Sequence, residues 1–419
     1  MGKKQLKTNF KKATSIYIST FAPWWEKDKH AATNGMIEPI LYFFTPRIKK
    51  IRILEQPYPG SKRLVPFFYD FINNKRGKNY LTFFSSLIIY PFLYLTNKSG
   101  THIPFKIRDF LTTIEAGART RGKYNIFVGL ESINTLAGII LKKLGKVDTV
   151  CYYCSDYSPK RFSNNFINRI YLWLDKLAAQ NADYIWDVSL AMQPARIKTG
   201  LDAKKSAQVV HVPNALFKEQ VDFIEYSKRE RNTAVFVGTL GLENGPDLAI
   251  EAMALVIKKI PSAKLHIIGG GGIGFEHKYL KKLTKKYHLG KNIVFHGYIS
   301  DVKKISNIIK DFQLALAPYK YIDGSIRLYG DATKIRQYMG SGLPLITTTV
   351  PPLGKEVEKA GAAIIVKDKK EEIAKAMLKI FEDKTFANKL AQNSIKFAKN
   401  NSWENTYENA LKKMEIILS

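Results

Sequence analysis

The residues with the clearest chemical potential lie between 323 and 350, in DGSIRLYGDATKIRQYMGSGLPLITTTV. A loop carrying Arg327, Asp331, Thr333 and Lys334 feeds a helix that ends at Gly340-Ser341-Gly342, before an apolar strand. Asp331 suits the N-cap of that helix. Lys334, in the first helical turn, carries the wrong sign for the helix dipole. The placement makes sense where cation and helix N-terminus share one ligand anion. Arg327 adds a second positive charge, so the chemistry expected here is stabilisation of charge on a phosphate.

Gly269 to Gly272 and Gly274 follow the apolar run Leu265–Ile268, and glycine lets backbone amides approach a phosphate closely. The dinucleotide pattern G-x-G-x-x-G can be laid on Gly269, Gly271 and Gly274. The acidic ribose ligand expected about 20 residues later is missing, since Lys281 to Lys291 is basic. A turn around Gly270 and Gly271 that shapes a nucleotide cleft is the better expectation. Two carboxylates also follow strand-like runs: Glu131 after Val128-Gly129-Leu130, and Asp156 in Tyr153-Cys154-Ser155-Asp156. Either could orient or deprotonate a hydroxyl, and Asp156 could equally serve the turn before Pro159. Lys160 and Arg161 could meet a phosphate. Trp24, in the aromatic and basic loop after the first strand, could pack on an acceptor, face a membrane or seal the domain.

The seven histidines show no metal-ligand spacing. Cys151 and Cys154 form a C-x-x-C without a second pair, and they sit in a run that reads as a buried strand. Two reduced core cysteines, as in a cytoplasmic protein, are expected rather than zinc or a redox pair.

The elements that must position these groups alternate. From 234 onward, short apolar runs (234–238, 264–269, 292–297, 313–318, 343–347) are separated by helical patterns at 246–260, 279–287, 302–309 and 334–339. That order means a parallel sheet covered on both faces. The first half offers strands at 16–18, 51–54, 125–129, 150–153 and 182–186, with helices at 136–144 and 168–179. Residues 217–232 are polar and charged and suit an exposed linker. The fold class expected is α/β with two doubly wound, Rossmann-like domains, whose ligands bind at the carboxyl ends of the strands and whose ends face a common cleft. The boundaries expected are 1–215, 216–395 and a terminal segment, 396–419.

The net charge is +30, and residues 1–213 hold 33 Lys and Arg against 14 Asp and Glu. Such a field attracts nucleic acid, anionic lipid or phosphorylated substrates without choosing among them. Residues 79–96, NYLTFFSSLIIYPFLYLT, carry no charge and are flanked by Lys75, Arg76, Lys78 and Lys98. A spanning helix needs about 20 apolar residues, so an interfacial segment on anionic lipid or a buried helix is expected instead. No secretory signal is visible.

With these residues in place, the chain resembles the GT-B glycosyltransferases of family 4 and its relatives (group 1 type). Phe236-Val237-Gly238-Thr239-Leu240 with Gly245 to Ala252, Leu265 to Gly271, Asn292 to Gly297, and Asp331 to Pro344 resemble successive motifs of the nucleotide-sugar domain. Val212-Pro213-Asn214 resembles the end of the first domain. Asn401-Ser402-Trp403 resembles the segment before a last helix that crosses back to it. The resemblance implies a nucleotide diphosphate sugar as donor, UDP- or GDP-linked, no cofactor and no metal. It implies that Gly238, Thr239, Gly270, Gly271, Asp331, Thr333 and Gln337 bind the donor. It implies that Lys334 and Arg327 stabilise the leaving diphosphate and that Asp156 acts on the acceptor. Glu131, Lys160, Arg161 and Trp24 are the further acceptor-side candidates. The family's paired glutamates fall here on Tyr329 and Gln337, and its basic diphosphate pair on Thr239 and Asn244.

The function so implied is hexosyl or related transfer (EC 2.4 class) to a lipid-linked or cell-envelope polysaccharide acceptor, by a cytoplasmic enzyme peripheral on the inner face of the plasma membrane. With Asp156 as a base the reaction inverts; without it a same-face, retaining route follows. A catalytically weak binding subunit is the alternative, motivated by the missing glutamates. A nucleic-acid binder is a remote one, without any recognised motif.

Overall fold

The computed structural model describes residues 10–22, 36–61, 63–96, 103–270 and 275–419. It divides into two units: Met1–Val188, Met192–Val212 and Tyr407–Ser419 form the first, Ser189–Ala191 and Pro213–Thr406 the second.

The first unit begins with β1 (Lys11–Ala13), β2 (Ser15–Ala22), α1 (Ile37–Phe44) and β3 (Lys50–Pro57). An antiparallel ribbon follows, β4 (Phe67–Ile72), β5 (Lys75–Arg76) and β6 (Tyr80–Leu81), then α2 (Phe83–Thr96) and α3 (Ile103–Ala118). The remainder alternates: β7 (Tyr124–Leu130), α4 (Glu131–Lys143), β8 (Val147–Cys154), α5 (Asn165–Asn181), β9 (Tyr184–Asp187), α6 (Met192–Lys198) and β10 (Gln208–His211). The sheet order is β10-β9-β8-β7-β2-β3-β4-β5, parallel from β10 to β3 and antiparallel beyond. Strands covered on both faces read as apolar runs. Only Asp148 of β8 is exposed, and Cys151 and Cys154 are free and buried within it. Asn73 and Asn74 take φ of 47° and 64° between Ile72 and Lys75, the left-handed pair a two-residue hairpin requires.

The apolar segment at 79–96 divides into two elements: Tyr80 and Leu81 pair with β4, and the helix starts at Phe83. Behind β9, Arg196 sits between Asp175 and Asp187, with Nη1–Oδ2 to Asp187 at 2.7 Å and Nε–Oδ2 to Asp175 at 3.0 Å. This buried charge is paired on two sides, which its desolvation demands.

The second unit contains β11 (Glu230–Val237), α7 (Pro246–Val256), β12 (Lys264–Ile268), α8 (Phe275–Lys286), β13 (Ile293–Gly297), α9 (Val302–Ile309) and β14 (Phe312–Ala317). It continues through α10 (Thr333–Gly340), β15 (Leu345–Thr347), α11 (Leu353–Lys359), β16 (Ala363–Ile365), α12 (Lys370–Glu382) and α13 (Lys384–Asn400). Its sheet, β13-β12-β11-β14-β15-β16, is parallel throughout. The chain closes with α14 (Trp403–Lys413), whose residues from Tyr407 onward belong to the first unit, and β17 (Ile416–Leu418), which pairs with β1.

The expected exposed linker at 217–232 is corrected. Tyr226 is buried, and Arg229 is buried with its guanidinium on the carbonyls of Phe312, Ser341 and Gly342. A polar segment folds inward here because backbone carbonyls, that of Ile224 included, take up the donors of both terminal nitrogens.

Candidate functional site

In the second unit the chain builds β11, β12 and β13 in one direction and then crosses to β14 on the other side of β11. The carboxyl ends of β11 and β14 therefore flank a topological switch point, where open α/β sheets bind ligands. Gly238 follows β11 with φ 132°, a conformation that favours glycine. A Cβ there would lie 3.0 Å from the Lys334 Cε and Nζ. Lys334, on the first turn of α10, fills that space, and its ammonium lies 4.5 Å from the Phe236 ring centre and 4.8 Å from that of Tyr319. Its Nζ is buried and has no hydrogen-bond partner among the described residues. Burial, with Arg327 nearby and Glu243 compensating only in part, pushes the ammonium down to about 7. A buried cation with three unused donors is a site made for an anion. Tyr338 fixes the height of α10 on β11: its hydroxyl accepts from the Val237 amide at 2.6 Å and donates to the Leu316 carbonyl at 3.3 Å.

Arg327 joins this cluster but pairs with Glu243, Nε to Oε1 3.2 Å, while Ser325 donates to the other oxygen. Asp331 is corrected. It neither caps α10, whose N-cap is Ala332, nor offers its carboxylate to a ligand. The Asp331 side chain is 2% exposed and is gripped by Arg336 (Nη2–Oδ2 2.6 Å, Nε–Oδ1 3.0 Å) and by the Asn214 amide at 3.0 Å. Thr333 is exposed at the helix start, and Gln337 is half-buried with its amide 3.5 Å from the Ser306 hydroxyl of α9. Thr239 and Asn244 hold each other, Nδ2 donating to Oγ1 at 2.8 Å, so the two positions of the family's basic pair carry no charge and pair with one another. Gly245 lets the chain pass the Pro318 carbonyl, which a Cβ would meet at 1.9 Å. Gly270 packs on Tyr298, and its carbonyl accepts from the Leu240 amide at 3.3 Å. Gly271 lies outside the described residues, as does Trp24.

The first unit has a switch point of its own between β2 and β7. Glu131 follows β7 directly and opens α4 with φ 66°, a left-handed conformation that costs a glutamate about 1–2 kcal/mol. The Ser155 hydroxyl donates to Glu131 Oε1 at 2.9 Å. Burial raises the Glu131 carboxyl above the usual carboxylate range and Asp156 adds to the rise. Arg161, Ser155 and Lys106 oppose it. Arg161 Nη1 is buried without a hydrogen bond among the described residues, 4.0 Å from Asp156 Oδ2. Tyr58, after β3, has its hydroxyl raised by burial and by the same two carboxylates. Lys160 is exposed on the loop beside Arg161, and its amide donates to the Ser158 hydroxyl.

Beneath Glu131, the Gln56 amide bridges Thr113, Asn134 and the Asp109 carbonyl, and Asn134 donates to the Leu130 carbonyl. This buried net holds the start of α4 in place. Asp156, the carboxylate favoured from sequence, is nearly half exposed, whereas strain, burial and a hydroxyl donor converge on Glu131. The sequence signal was a glutamate placed directly on the end of a strand. Tyr58, Ser155 and Lys106 carried no motif. No group of His, Cys, Asp and Glu among the described residues is arranged to hold a metal.

Residues 217–397 match the family model "Glycosyl transferases group 1". The UDP-N-acetylglucosamine--peptide N-acetylglucosaminyltransferase GtfA subunit of Streptococcus parasanguinis is 30% identical over 134 residues, 32% of this chain and 23% of that protein, so the match spans under a quarter of the relative's length. The O-antigen biosynthesis glycosyltransferase WbnH of Escherichia coli is 25% identical over 286 residues, 66% of this chain and 74% of that protein. Among solved structures, Anabaena Alr3699/HepE in complex with UDP superposes with a TM-score of 0.63 at 14% identity, over 96% of this chain and 98% of that one. Most of the second unit thus matches the group 1 glycosyltransferase model, and the chain has the two Rossmann-like domains of the GT-B fold.

Proposed function

We propose that the protein transfers a hexosyl or related group from a nucleotide diphosphate sugar to a lipid-linked or cell-envelope polysaccharide acceptor. The observation that carries the donor half is the buried, unpartnered Lys334 ammonium at the second unit's switch point. The donor diphosphate supplies the missing partner, and Lys334, with Arg327 beside it, stabilises the charge that grows as the anomeric carbon–oxygen bond breaks. Gly238, the Gly270 turn, Thr333 and Gln337 are the remaining donor-side groups of this reading, and no metal is needed for it. The cyanobacterial structure was solved with UDP, which supports uridine nucleotides as the first donors to try. The O-antigen relatives support an envelope acceptor, and this reading places the reaction at the inner face of the plasma membrane.

Glu131 is the acceptor-hydroxyl ligand, with Asp156 and Arg161 beside it. The acceptor oxygen forms the new bond to the anomeric carbon. Its proton goes to Glu131 in an inverting reaction, or to the departing diphosphate in a retaining one. The anomeric configuration of the product, read by NMR, distinguishes the two.

The test of the donor site is thermal shift with UDP, GDP and their sugars on the wild type and on Lys334→Met. The variant removes a buried charge, so the unliganded protein should melt about 2 °C or more higher, while stabilisation by nucleotide disappears. A nucleotide response that survives in the variant, or none in the wild type, would sink the assignment. The uncharged Thr239–Asn244 pair favours a second reading, a binding subunit of low turnover. Nucleotide binding without sugar release across acceptors would select it.

A further inference from the structure

We propose that α2, with the basic ribbon before it, is an interfacial membrane anchor that seats the first unit on an anionic phospholipid surface. Among the described residues, only one seam of α2 is covered by protein. Ile89 and Leu93 pack with Phe105 and Leu64, and Glu115 accepts from the Ser85 amide and hydroxyl at 2.8 and 2.5 Å. The rest of the helix is apolar and open: Phe84, Leu87, Ile88, Phe92 and Leu95 are 63–74% exposed. Isolated exposed hydrophobics need no explanation, but five on one short helix form a patch of the kind that marks an interaction surface.

Charge identifies the occupant. Between Asp70 and Asp109 the sequence has no acidic residue and six basic ones, Lys75, Arg76, Lys78, Lys98, Lys106 and Arg108. Lys75, Arg76 and Lys78 are exposed. An uncharged apolar helix bordered in sequence only by cations has the composition that binds the headgroup region of anionic lipid. At 14 residues α2 is about 21 Å long, shorter than the ~30 Å hydrocarbon core. It contains Pro91, and no helix among the described residues is long and apolar enough to cross a membrane.

The position suits the acceptor. Leu93, in the second half of α2, packs by Phe105 at the start of α3. The next residue, Lys106, reaches the Phe21 ring at the carboxyl end of β2, level with the Glu131 cluster. A sugar acceptor carried on a lipid is then held near the Glu131 cluster. That purpose rests on the acceptor reading above; lipid binding itself does not.

The full-length protein is to be floated with phosphatidylcholine vesicles, with and without phosphatidylglycerol. Flotation with the anionic vesicles only is expected. Lys75→Gln with Lys78→Gln should weaken it about 30-fold, from roughly 1 kcal/mol per basic residue. Leu87→Asp with Ile88→Asp should abolish it while leaving the UDP-dependent thermal shift unchanged, which also shows that the variant is folded. Absence of wild-type flotation, or flotation that survives the aspartates, overturns the proposal. A wild-type dimer that the aspartates dissociate, without vesicle binding, assigns the face to a second copy and overturns it too. Flotation without any nucleotide response leaves the anchor standing and removes the donor reading.

Discussion

At the scale of a residue, the chemistry of this protein is written in unusual placements rather than in motifs. Lys334 was legible from sequence because its sign conflicts with the helix dipole. The structure adds that the conflict is unrelieved: its Nζ lies over the Phe236 and Tyr319 rings and has no hydrogen-bond acceptor among the described residues. The linkage follows from the depressed value. In the unfolded chain this lysine titrates near 10.5, in the fold near 7. Between those values the unfolded state binds more protons, so this group makes stability rise with pH across that window. A bound diphosphate acts in the opposite sense and restores the charge. At pH 8 a nucleotide sugar, which has no titrating phosphate of its own there, should bind with uptake of close to one proton. Calorimetry in buffers of different ionisation enthalpy reads this directly. Binding enthalpies independent of the buffer would mean that Arg327, held by Glu243, carries the phosphate and Lys334 does not.

At the scale of an element, the alternating strands and helices of the second unit were readable because parallel strands buried on both faces leave continuous apolar runs. The β4–β6 ribbon was not: β5 and β6 are two residues long, too short for any period to show. Nor was the inward turn of Arg229, whose partners are backbone carbonyls far away in sequence. The start of α4 is the element on which function presses hardest. No side chain caps it, and Glu131 holds a left-handed backbone there. Strain of this kind persists where the surroundings over-determine it and a site uses it. Glu131→Gly relieves the backbone and should stabilise the unliganded protein by about 1 kcal/mol. The same change should lower kcat by about 100-fold or more as the acceptor ligand is lost. A destabilised or fully active glycine variant would return Glu131 to a purely structural role and leave the acceptor to Asp156.

At the scale of the whole molecule, the two-unit α/β architecture could be read from order and spacing, but the closure of the first unit could not. It depends on a pairing of three residues with three, Lys11–Ala13 with Ile416–Leu418, across nearly the full length of the sequence, and no local pattern announces it. Met414 secures that closure. It is 1% exposed, its sulfur accepts from the Trp186 indole at 3.2 Å, and its carbonyl accepts from the Tyr184 hydroxyl at 3.2 Å. Trp186 and Tyr184 lie on β9, so the last residues of the chain are packed into the first unit's sheet. Met414→Ala leaves a cavity against the indole and should cost about 2–4 kcal/mol. The damage should stay in the first unit, because the donor groups all belong to the second. Denaturant unfolding followed by Trp fluorescence should therefore move to lower midpoint, while the added stability conferred by UDP, measured below that transition, stays at its wild-type value. Loss of both together would show that the units unfold as one, and that the C-terminal strand supports the donor site as well as the fold.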